Sequence, residues 1–86
     1  MKYITVKDLN LFRENRLYYG VDVINSTIKK PQSSHAGLAA ISHRGDNLWK
    51  VKIFDPKFNN YVFNGFFPSQ RKALKFIVKR LNDLYL

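Results

Sequence analysis

The sequence predicts an α+β fold: a three-stranded antiparallel sheet packed on one C-terminal amphipathic helix, preceded by a short N-terminal segment. Three observations carry this reading. Leu48–Phe54 alternates, with Val51 and Ile53 on one face and Lys50, Lys52 and Phe54 on the other. Turn-forming residues flank that stretch, at Gly45-Asp46-Asn47 and at Asp55-Pro56-Lys57-Phe58-Asn59-Asn60. Ser69–Leu86 carries an apolar stripe at helical spacing.

The chain divides into an N-terminal segment with a polar linker, residues 1–36, and a ββ-β-α module, residues 37–86. Thr5 and Asp8 form a weak capping box, and Leu9, Phe12 and Leu17 follow at helical spacing, which predicts a short helix near 6–15. Residues 17–24 are rich in Tyr, Val and Ile and predict a strand; a strand over Lys2–Val6 is the alternative for the start of the chain. Lys29 to Gly37 reads as a loop, with Pro31 and Gly37 around a polar, unpatterned stretch. The module's strands follow as Leu38–Arg44, Leu48–Phe54 and Tyr61–Phe66. Pro68 fixes the helix entry and Ser69 is the expected N-cap. Ala73, Leu74, Ile77, Val78, Leu81, Leu84 and Tyr85 share one helix face, and Arg71, Lys72, Lys75, Lys79 and Asn82 the other. The apolar stripe is expected to cover Val51, Ile53 and Val62, leaving Lys50, Lys52, Phe54, Tyr61 and Phe63 on the uncovered face of the sheet.

At 86 residues the chain is one small domain. It holds no cysteine, which excludes disulfides, thiolate metal sites and cysteine nucleophiles. Met1-Lys2-Tyr3-Ile4-Thr5 lacks the apolar run of a secretory leader, and the longest apolar runs are four residues, as at Leu38–Ile41. The expectation is a soluble, cytoplasmic protein with no membrane partner. On that basis Asn25-Ser26-Thr27 is discarded as a glycosylation sequon, and Arg44-Gly45-Asp46 is a hairpin turn. His35 and His43 lack the spacing and co-ligands of a metal site. Asp55-Pro56 is turn chemistry rather than half of a nuclease motif. No Ser/His/Asp arrangement, phosphate-binding Gly loop or carboxylate pair is visible, so neither an enzyme nor a cofactor is expected.

The charge is the strongest functional signal. Fifteen Lys and Arg against six Asp and Glu give a net charge of +9, which favours polyanionic partners. Residues 1–36 hold six basic and three acidic groups, and residues 37–86 nine and three, so the excess concentrates in the module. Basic and aromatic residues interleaved on strands suit contact with phosphates and with bases or sugars. The expected contact set is Arg44, Lys50, Lys52, Phe54, Lys57, Tyr61 and Phe63, with Arg71, Lys72, Lys75 and Lys79 as a second basic surface. The ordinary alternatives are that residues 1–36 cover the sheet face, and that the helix lysines are a solvated face. Trp49 alternates in phase with Val51 and Ile53 and reads as a structural residue.

Trp49-Lys50-Val51-Lys52-Ile53-Phe54-Asp55-Pro56 and Val62-Phe63-Asn64-Gly65-Phe66-Phe67 resemble the second and third strands of APETALA/ethylene-response-factor DNA-binding domains. The likeness covers roughly residues 37–79, and integrase amino-terminal domains are similar in architecture. The resemblance implies three strands laid in the DNA major groove, with Lys52, Phe54, Tyr61 and Phe63 at contact positions and Arg44 near the first-strand contacts. Phe54 and Tyr61 stand where that family presents Arg, and Arg71 and Lys72 replace its acidic helix start. Ser69-Gln70-Arg71-Lys72-Ala73 looks instead like the helix entry of double-stranded RNA-binding domains, whose basic residues contact phosphates. Duplex DNA is the first expectation, and a double-stranded RNA-binding module, contacting through Arg71 and Lys72, is an alternative to it. The alternative from another class is a stand-alone, phage-type inhibitor or adaptor that binds an acidic protein through Phe54, Tyr61 and Phe63.

Overall fold

The computed structural model describes residues 3–24 and 37–85. Residues 25–36, which hold the expected linker up to Gly37 along with His35 and the Asn25 sequon, lie outside the described residues. Within them the order is a 3-10 turn at Val6–Asp8, β1 (Leu9–Arg13), β2 (Tyr18–Val23), β3 (Ala39–Gly45), β4 (Leu48–Asp55), β5 (Asn60–Phe67) and α1 (Gln70–Tyr85). The strands form one sheet in sequence order, β1-β2-β3-β4-β5, and every neighbouring pair is antiparallel. The α+β class stands, and the strand count is corrected from three to five. The last three strands and the helix match the expected elements. β2 is the strand expected over 17–24, now placed between β1 and β3.

The helix expected near 6–15 is also corrected. Only Val6–Asp8 is helical, and the chain then extends into β1. Thr5 and Asp8 do meet: the Asp8 carboxylate accepts from the Thr5 backbone N–H at 2.8 Å and the Thr5 hydroxyl at 3.3 Å. They cap a single turn. Beyond it, Leu9 pairs with Val23 and Leu11 with Val21 on the side of the sheet that carries the core. Asn15 closes the β1–β2 hairpin, its Oδ1 accepting from the N–H groups of Leu17 at 2.9 Å and Tyr18 at 3.1 Å.

α1 lies against β4, β5 and the 3-10 turn. Ala73, Ile77 and Leu81, one turn apart, are fully buried against Val21, Leu38, Ala39, Ile41, Val51 and Ile53. Burying a Val, Leu or Ile side chain contributes about 1.5–3 kcal/mol, so this layer is the main source of stability. Phe76 widens the stripe, packing on Phe67 with ring centroids 4.9 Å apart. Ser69 is the N-cap, its hydroxyl accepting from the Lys72 N–H at 3.2 Å.

Asn82 departs from its expected place on the polar helix face. It is half-buried and grips Ile4: its Oδ1 accepts from the Ile4 N–H at 3.0 Å, and its Nδ2 donates to the Ile4 carbonyl at 3.1 Å. This ties the helix to the start of the chain, 78 residues away, and holds Ile4 in the core. Gly37 makes a second long-range junction. Its φ is +84°, and a Cβ there would sit 2.5 Å from the Val21 carbonyl oxygen, so only glycine fits. The next N–H, of Leu38, donates to that same carbonyl at 2.8 Å. At the far end of the helix the Tyr85 hydroxyl donates to the Phe54 carbonyl at 2.6 Å.

Asn82→Ala loses both bonds and leaves the Ile4 amide unpaired, so chemical denaturation should show a loss of about 1–3 kcal/mol. Exposed Asp83→Ala should stay within about 0.5 kcal/mol. The Tyr85 phenol is pushed up to about 12, first by burial, then by the charges of Asp55 and Tyr61. Its folded-state value lies above the unfolded value of about 10, so the neutral phenol's contribution is intact below pH ~10 and is lost as pH rises toward 12. A tyrosinate absorbance titration should show a late component that Tyr85→Phe removes.

Candidate functional site

One face of the sheet is covered by α1; the register fixes what the other presents. Directly paired residues in an antiparallel sheet share a face. Tyr18, Ser42, Lys50 and Phe66 form one row across β2 to β5, and Phe12, Gly20, Ala40, Lys52 and Phe63 form the next across all five strands. Phe54 and Tyr61 pair at one end. Residues 9–23 therefore widen this face from the side instead of covering it.

The face is graded. Gly20, Ala40 and Ser42 form a floor of small residues. On one side rises Tyr18, with the Arg44 guanidinium 5.6 Å from its ring centre. On the other side stand Lys50 and Lys52, then Phe63 and Phe66. The result is a shallow depression of about 60 Å³, lined by Tyr18, Ala40, Ile41, Ser42, Arg44, Lys50 and Lys52. Ligand pockets run to about 300–1,000 Å³, so this is no enclosed small-molecule site. Lys50 Nζ lies 5.5 Å from the centre of the Phe63 ring, within cation–π range. Phe63 and Phe66 meet edge to face, centroids 5.4 Å apart, and are 51% and 52% exposed.

A bulge produces that phenylalanine pair. Val51 pairs with Gly65 but Lys52 pairs with Phe63, so Asn64 has no partner across the ladder. Gly65 takes φ +128° there, and the Asn64 side chain donates to the Val62 carbonyl at 2.7 Å. Under strict alternation residues 63 and 66 face opposite ways. The extra residue puts both beside the lysines and turns Phe67 onto the helix side, opposite Trp49. A glycine inside a strand pattern is the sequence signal for such a bulge. Tyr18 also belongs to the site, and its place depends on the pairing of β2 with β3, which no local pattern encodes.

The expected contact residues fall into three groups. Arg44, Lys50, Lys52 and Phe63 come together on the uncovered face. Phe54 shares its orientation but is 1% exposed, with Tyr61 edge-on at 5.1 Å, and Tyr61 donates its hydroxyl to the Gly37 carbonyl at 2.9 Å. Both hold one end of the face together. Lys57 sits in the β4–β5 turn, where its N–H donates to Asp55 Oδ1 at 2.8 Å. Arg71, Lys72, Lys75 and Lys79 are exposed on α1, across the sheet from the depression. Trp49 lies on the helix side, stacked on His43 at 4.4 Å. Among the described residues, no group of three or more His, Cys, Asp or Glu could hold a metal ion, and no helix is long and apolar enough to cross a membrane.

Comparisons with family models, curated proteins and solved structures give no match. The resemblance to the APETALA/ethylene-response-factor domain is corrected on this ground and on the fold: the sheet has five strands, where that domain has three.

The bulge is directly testable. Gly65→Ala meets open space, its nearest neighbour being a Phe67 ring carbon at 3.9 Å, so its cost is backbone strain alone. Urea denaturation should show a loss of about 1–3 kcal/mol. Gly45→Ala, with nothing within 4 Å and no positive φ, should be neutral or stabilise by up to about 1 kcal/mol.

Proposed function

We propose that this chain is a nucleic-acid-binding module that docks through the uncovered face of its sheet. One observation carries the reading: three cationic side chains, Arg44, Lys50 and Lys52, share a solvent-facing surface with Tyr18 and two half-exposed phenylalanines. Cations neutralise phosphates and release counterions, which supplies affinity; aromatic rings give bases or sugars an apolar contact. The net charge of +9 supports the same partner by raising the association rate. Arg71 and Lys72 stand at the positive end of the helix dipole, which costs about 0.3–1 kcal/mol each. A bound anion offsets that cost, so the helix start is a second contact only if the ligand reaches round the sheet.

A second reading, an inhibitor or adaptor for an acidic protein, is favoured by the Phe63–Phe66 pair, since paired aromatics form protein interface cores. Salt separates the two. With phosphates on Arg44, Lys50 and Lys52, log affinity should fall against log salt with a slope of about −2 to −3, roughly a 20- to 40-fold loss between 50 and 200 mM. An aromatic-anchored protein complex weakens only modestly over that range.

The test is fluorescence anisotropy with random-sequence DNA and RNA at both salt concentrations. Lys52→Ala should weaken all sequences about equally and flatten the slope by about one. An unchanged slope removes this face from the reading, and no binding at 50 mM removes nucleic acid.

A further inference from the structure

We infer that the ligand of this face is a single strand of nucleic acid, its bases stacked on Phe63 and Phe66 and its phosphates beside Lys50, Lys52 and Arg44. The inference rests on the nucleic-acid reading above and narrows it.

Width is the first reason. Five strands spaced about 4.8 Å apart set the outer two roughly 19 Å from each other. The B-DNA major groove is about 12 Å wide and admits a helix or a two-stranded ribbon. The expectation of duplex DNA assumed a narrower, three-stranded face, and the five-stranded one does not enter a groove broadside.

Relief is the second. Insertion into a groove needs a ridge, and this face has a trough. Its floor is Gly20, Ala40 and Ser42, and its long side chains stand at the margins. A trough bordered by cations accepts a flexible polyanion lying along it.

Ring exposure is the third. Phe63 and Phe66 each keep about half their surface in water, although burying the rest of each ring would stabilise the fold further. In a duplex the base faces are stacked on one another and only their edges reach a groove. In a single strand the faces are free, and each stacks on an aromatic ring for about 1–3 kcal/mol without regard to sequence. Lys50, in cation–π range of Phe63, sets a positive charge beside the ring, as a nucleotide sets its phosphate beside its base. The expected ligand is therefore bound with little sequence preference.

The experiment measures binding of the full chain at 50 mM salt to three probes: an oligothymidylate of about 16 nucleotides, the matching oligouridylate, and a hairpin duplex of equal nucleotide number. Both single strands should bind at least about tenfold more tightly than the hairpin, and a difference between them shows whether the sugar is read. Phe63→Ala and Phe66→Ala should each lower single-strand affinity roughly 5- to 150-fold, with the salt slope unchanged because no charge is lost. Phe58→Ala, an exposed aromatic in the β4–β5 turn, should have no effect. Both target residues are half-exposed, so the variants keep the fold, as circular dichroism will show. A hairpin bound as tightly as the single strands, or Phe63 and Phe66 variants that bind like the parent chain, overturns the single-strand assignment and leaves nucleic-acid binding standing. No binding to any probe overturns both.

Discussion

A sheet has two faces, and the described residues of this chain supply one α-helix to cover them. That constraint organises the rest. The stripe of Ala73, Ile77 and Leu81 closes the core against β3 and β4, and Asn82 pins the helix to Ile4, so the covered side is settled at both ends. β1 and β2 add to the sheet edgewise, which brings Leu9, Leu11 and Val23 to the core margin and enlarges both faces at once. Among the described residues no second helix covers the other face, and Phe63 and Phe66 on it stay half-exposed. A small domain gains little from exposing two phenylalanines, and their exposure beside lysines is what marks this face as the candidate site.

The bulge at Asn64–Gly65 links fold and function. It shifts the phase of β5 by one residue, so one phenylalanine meets the helix and two meet solvent. Phe67 packs on Phe76 and closes the core near the helix start, while Phe63 and Phe66 form the exposed pair. A single glycine conformation thereby decides both the packing of the covered side and the chemistry of the other. Bulges at sheet edges also disrupt pairing with a further strand, which protects β5 as the last strand of the sheet.

Legibility in the sequence followed the reach of local rules. β3, β4 and β5 were readable because Val51 and Ile53 alternate with Lys50 and Lys52 between turn residues, and turn chemistry is local. The helix was readable because its stripe repeats over four turns and Ser69 caps it. β1 was not. Leu9-Asn10-Leu11-Phe12 puts apolar residues at both strand and helix spacing, and its pairing with β2 decides between them. Asn82 looked like a surface residue because its partner lies at the other end of the chain. The cationic half of the site, Arg44, Lys50 and Lys52, was legible from alternation and charge. Phe66 and Tyr18 were not, since one depends on the bulge and the other on the β2–β3 register. The inward packing of Phe54 and Tyr61 depends on tertiary contacts that alternation does not encode.

The most direct measurement is amide and side-chain chemical-shift mapping of the labelled protein during titration with the oligothymidylate. Fast or intermediate shifts should be confined to Tyr18, Ala40, Ser42, Arg44, Lys50, Lys52, Phe63 and Phe66, with the Trp49 indole and the outer face of α1 unmoved. Shifts centred on Arg71, Lys72, Lys75 and Lys79, with the sheet face silent, would contradict it.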